Sequence, residues 1–110
     1  MDLYREIIKS LEELDITISI LSKAGQDYGK AFTDYRIALS EELVKLKQEG
    51  YAISLAENIA RGKPNIAKLK YEEIYKEAIY KANLEKINAI KLRIKVLTNQ
   101  YDKEWGNSNN

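Results

Sequence analysis

Apolar side chains return every three or four residues along the first half of the chain: Leu3, Ile7, Leu11, Leu14, Ile18 and Leu21, then across Gly25 to Tyr28, Phe32, Tyr35, Leu39, Leu43 and Leu46. Positions three and four apart share a helix face, so this unbroken register predicts one helix over residues 2–48. At 1.5 Å per residue it would extend roughly 70 Å. Gly25 falls on the stripe itself, where a missing side chain either admits a neighbouring helix or marks a kink.

Gly50 is placed to cap that helix. In the connector that follows, residues 51–63, Ser54-Leu55-Ala56-Glu57 has the capping-box form and predicts a short helix over 55–61 with Gly62 as its stop. Pro64 suits a first helical turn, and the composition after it is helical. A second long helix is therefore expected over 65–105, with a disordered Gly-Asn-Ser-Asn-Asn tail over 106–110.

The last helix carries two apolar faces. At 100° per residue, Ile87, Ile90, Ile94, Leu97 and Tyr101 share one side, while Ala89, Leu92 and Val96 lie nearly opposite. One partner helix covers only one of them. The expected architecture is all-α: residues 1–105 form a single antiparallel hairpin of two long helices joined by a short capped helix. Ala89, Leu92 and Val96 then provide an oligomerisation face for a four-helix bundle or a higher homo-oligomer.

Composition removes most enzymatic chemistry from consideration. The chain has no cysteine and no histidine, which excludes disulfides, thiol nucleophiles, imidazole proton shuttles and the usual zinc sites. The doublets Glu12/Glu13, Glu41/Glu42 and Glu72/Glu73 point about 100° apart on a helix and do not converge, and no phosphate loop or nucleophile elbow occurs. The reading is of a protein that is not an enzyme, without catalytic residues, metal ligands or cofactor.

Charge matters only locally, since 18 Lys and Arg balance 17 Asp and Glu. Arg61, Lys63, Lys68 and Lys70 fall within ten residues near the connector, a basic tip suited either to phosphates or to an acidic protein surface, or else to solubilising a turn. Lys86, Lys91, Arg93 and Lys95 form a second basic cluster. Tyr71, Tyr75 and Tyr80 alternate with Lys70, Lys76 and Lys81, a pattern that stacks bases in some proteins and edges a packed seam in others. Residues 46–60 have the form of the first part of a helix-turn-helix reader, but no short recognition helix follows. No window approaches the ~20 apolar residues of a membrane span and the N-terminus is amphipathic, so a cytoplasmic protein without a membrane partner is expected.

Three segments carry a resemblance: residues 43–50 (Leu-Val-Lys-Leu-Lys-Gln-Glu-Gly), the connector 53–62 (Ile-Ser-Leu-Ala-Glu-Asn-Ile-Ala-Arg-Gly) and the ending 94–106 (Ile-Lys-Val-Leu-Thr-Asn-Gln-Tyr-Asp-Lys-Glu-Trp-Gly). Over roughly residues 30–106 the chain resembles small uncharacterised helical proteins from the early regions of phages and prophages of low-GC Gram-positive bacteria. The resemblance is one of pattern and brings no catalytic signature. It implies a phage context, in which small proteins act by binding. The leading expectation is a stoichiometric inhibitor of a host defence component, for example an anti-CRISPR protein, with Arg61, Lys63, Lys68, Lys70, Tyr71 and Tyr75 as binding residues. The alternatives are a nucleic-acid-binding accessory to phage recombination or replication, marked by steep salt dependence, and a coiled-coil spacer indifferent to changes at the tip.

Overall fold

The computed structural model describes residues 2–108 and is all-helical over them: α1 spans Leu3–Gln48, α2 Ile53–Gly62 and α3 Pro64–Ser108. Two compact units share the long helices. One is built from residues 2–23 and 81–108, the other from Ala24–Tyr80.

Local chemistry sets each boundary. Asp2 starts α1 by accepting the Arg5 amide through its Oδ1 at 3.2 Å, and its carbonyl accepts the Glu6 amide. At the other end Gly50, at φ 99°, turns the chain left-handed. The Tyr51 amide then reaches the Leu46 carbonyl at 3.2 Å, and the Gly50 amide reaches that of Lys47 at 3.0 Å, which is the Schellman arrangement.

The capping box expected at Ser54 is absent. Helix α2 begins two residues earlier, after an extended Ala52 whose carbonyl accepts the Ala56 amide at 2.8 Å, and no side chain caps it. Gly62 is not the stop either. It is the last helical residue, and the break falls at Lys63 (φ −70°, ψ 135°), held extended because a residue before proline is pushed out of the α region. Helix α3 continues through Gly106 to Ser108, beyond the expected end at 105, while Asn109 and Asn110 of the expected tail lie outside the described residues.

Within the unit Ala24–Tyr80 the helices run antiparallel in heptad register. Tyr28 meets Glu77, Tyr35 meets Lys70 and Glu42 meets Lys63, so seven residues forward on α1 correspond to seven back on α3. The seam takes Ala24 and Tyr35 from α1 and Ile66 from α3. Around the connector, α2 packs Ala56 and Ala60 against Leu46, with Leu39, Leu43 and Ile59 closing over them.

In the other unit the buried positions are Leu3, Ser10 and Thr17 on α1 with Ile87 and Ile90 on α3, and Arg93 bonds Glu13 at 2.8 Å. The Thr17 hydroxyl donates to the Glu13 carbonyl one turn back at 2.8 Å, which satisfies it inside an apolar contact. Leu11, Ile18 and Phe32, expected in the core stripe, are instead largely exposed. The inward positions beside them are Ser10, Thr17 and Ala31, chosen for size and not for hydrophobicity.

Gly25 and Gly29 leave α1 helical. Gly25 faces the Tyr80 ring, where an added Cβ would sit 3.4 Å from Cε2, so the glycine serves close approach; Gly29 faces open space. We expect Gly29→Ala to raise stability by about 0.5–1 kcal/mol through helix propensity, and Gly25→Leu to lower it through collision with Tyr80, both read from urea unfolding midpoints. The same measurement should show Gly50→Ala destabilising by about 1 kcal/mol, because alanine is strained at that φ, and Ser54→Ala near zero, because no cap is lost.

Candidate functional site

The basic tip is less uniform than its sequence suggests. Lys63 is turned back onto Glu42 of α1, whose side chain is only 14 % exposed. Lys70 bonds the buried Glu73 at 3.1 Å and places its ammonium 4.9 Å from the centre of the Tyr35 ring. Both lysines thus neutralise or cover groups inside the fold. Arg61 and Lys70 line one open depression with Tyr35 and Ala67, so these two of the four cations are brought together. Lys68, two positions from Lys70 on α3, lies about 200° around the helix and is exposed.

Tyr71 and Tyr75 do not edge the seam. Both are exposed, as are Ile74 between them and Ala78 beyond. Their rings stack on each other at 6.2 Å and 7°, and the Lys76 ammonium sits 5.7 Å from the Tyr75 centroid. Tyr80 does turn inward, with its centroid 6.0 Å from that of Tyr28. Further along α3, Leu92 and Val96 are 63 % and 56 % exposed and Ala89 is exposed, on the side away from the buried Ile87 and Ile90.

A second apolar surface was not anticipated. Leu43, Val44, Ile53 and Ala56 line a groove between α1 and α2, edged by Ser40 and Lys47, with Ile37 exposed nearby. Its signal was present in the spacing Ile37, Ser40, Val44 and Lys47, but the missing first turn of α2 hid the contribution of Ile53. Among the described residues no acidic cluster forms a metal site, and no helix is long and apolar enough to cross a membrane.

No protein-family model, no curated protein and no solved structure matches this chain.

The Glu42–Lys63 pair gives the region a pH signature. The hydrogen bond from Lys63 holds the Glu42 carboxyl below its ordinary value of 4.5 despite its desolvation, and the same bond raises Lys63 above 10.5. A carboxyl whose folded value is depressed stabilises the fold above its unfolded pKa, and that contribution is lost as pH falls through the folded value. Lys63 contributes below its unfolded value and loses this as pH rises through the raised one. Glu42→Gln should therefore be less stable than wild type at neutral pH, with the gap closing as pH falls below the carboxylate range. Urea midpoints taken across that range check it: a gap independent of pH would mean that the pair contributes through packing alone.

Proposed function

We propose that this chain is a non-enzymatic binding protein of phage origin. It works stoichiometrically as a homo-oligomer, a four-helix bundle or larger, in the bacterial cytoplasm, and it inhibits a host defence component such as a CRISPR effector. The observation that carries the binding reading is the exposed Tyr71–Ile74–Tyr75 surface of α3. Exposed aromatic residues beside an apolar neighbour are typical anchors of protein interfaces, where tyrosine contributes large contact area at low entropic cost. The phage context and the defence target come from the sequence resemblance and are analogy.

Nucleic-acid binding is the second reading. Arg61 and Lys70 beside Tyr35 favour it, since cations next to an aromatic ring suit phosphates and bases. Against it stands the engagement of Lys63 and Lys70 within the fold.

The test is to express the chain in a bacterium carrying a CRISPR effector and to challenge it with a targeted phage. Plaquing should rise at least tenfold, and the purified chain should inhibit the effector at near-equimolar ratio. Tyr71→Ala/Tyr75→Ala should lose both effects while remaining helical. No rise in plaquing, together with oligonucleotide binding that falls steeply with salt, would replace this reading with the nucleic-acid one.

A further inference from the structure

The four cations near the connector have unequal duties. Lys63 is taken by Glu42, and Lys70 by the buried Glu73. Lys68 is exposed on another side of α3, about 200° around the helix from Lys70. Arg61 differs from all three. It is exposed in the last turn of α2, among the described residues no ion pair holds it, and Glu57 one turn earlier does not engage it. Yet it lines an open depression with Tyr35, Ala67 and Lys70, where the Lys70 ammonium sits 4.9 Å from the centre of the Tyr35 ring. Two cations there stand against one carboxylate, Glu73, which leaves a single positive charge unbalanced.

Ala67 joins this depression to the aromatic face. It precedes Tyr71 by four residues, and Ile74 and Tyr75 continue the same exposed side of α3. All of these residues belong to one compact unit, Ala24–Tyr80.

We infer that the depression takes a carboxylate side chain of a partner protein whose neighbouring apolar residue packs on Tyr71 and Ile74. This rests on the protein-binding reading proposed above and names the chemistry that the partner presents. The Arg61 guanidinium offers a fork of donors that matches a carboxylate, and Lys70 adds a second cation whose position is held by Glu73 and the Tyr35 ring. The incoming carboxylate balances the spare charge. Packing on Tyr71 shields the pair from water, which strengthens it relative to an exposed ion pair. On a partner helix the acidic residue stands three or four positions from the apolar one, a turn apart as Ala67 and Tyr71 are. A nucleic-acid strand fits these charges poorly. It carries a phosphate at every nucleotide and needs a row of cations along its path, whereas Lys63 is engaged inside the fold and Lys68 faces elsewhere.

The probe is a random peptide library panned on the purified full-length chain and counter-selected on Tyr71→Ala/Tyr75→Ala. The selected peptides should share an Asp or Glu three or four residues from a large apolar one. Their synthetic consensus should bind Arg61→Glu at least tenfold more weakly than wild type, with Arg61→Gln between them and circular dichroism unchanged, since Arg61 is exposed. The consensus with its acid changed to lysine should reverse this preference. Failure to select a consensus, a consensus without an acid, or equal binding by Arg61→Glu overturns the site. Oligothymidine binding that falls steeply with salt and is lost in Arg61→Glu assigns it to nucleic acid instead, and a wild-type oligomer that Arg61→Glu dissociates in sedimentation assigns it to a second copy. In the plaquing assay, an Arg61→Glu chain as active as wild type beside an inactive Tyr71→Ala/Tyr75→Ala overturns this site and leaves the defence reading standing. The reversed peptide preference without any rise in plaquing does the opposite.

Discussion

The close approach of α1 and α3 is the constraint on which the rest depends. From Ser10 to Ala38 every seventh residue of α1 is small: Ser10, Thr17, Ala24, Ala31 and Ala38. In one unit Ser10 and Thr17 are almost fully buried; in the other Ala24 is buried, with Ala31 and Ala38 partly so. A small residue at this position brings the helix backbones together and leaves little room for a large side chain. Apolar bulk must then come from the alternate seam positions, where Tyr28 and Tyr35 serve in one unit and Ile7 and Leu14 in the other. Two of the buried polar residues are bonded locally, Thr17 to the Glu13 carbonyl and Glu73 to Lys70, which lowers the cost of enclosing them.

A thin seam leaves a chain rich in apolar residues with more of them than its own interior can hold. Those left outside fall in ordered places: Tyr71 and Tyr75 stack on α3, Val44 and Ile53 border the groove beside α2, and Leu92 and Val96 stand opposite Ile90. Scattered surface hydrophobes are normal on any protein, whereas several of these recur at helical spacing. Charges at the connector follow a different rule. Lys63 and Lys70 are drawn inward by Glu42 and Glu73, carboxylates that need a counter-ion where they are partly or fully buried.

Much of this was legible in the residues. The 3–4 spacing gives two long helices and an intervening short one, Gly50 marks the end of the first, and the two-faced pattern of α3 anticipates the burial of Ile87 and Ile90 against the exposure of Leu92 and Val96. What escaped has a physical cause. Leu11, Ile18 and Phe32 lie one position from Ser10, Thr17 and Ala31, and a reading that ranks residues by hydrophobicity selects the larger neighbour, although close packing selected the smaller. Ser54 has a capping side chain at a plausible spacing, yet the helix starts where the backbone first becomes helical, at Ile53. Pairing of Lys63 with Glu42 depends on the antiparallel register, which no local motif encodes.

That register also orders the chain in time. The bonds between α1 and α3 span unequal lengths of sequence: Tyr28 and Glu77 are 49 residues apart, Glu13 and Arg93 80. Closing a loop costs conformational entropy that rises with its length, but once an inner contact exists the next one outward closes only a few added residues. Assembly is then fastest as a zipper that begins beside α2, where Glu42 and Lys63 are the nearest of these partners along the chain, and proceeds toward the termini. Substitutions near the connector will act chiefly on the rate of folding, while those around Ser10, Thr17 and Ile90 will act chiefly on the rate at which the finished structure comes apart.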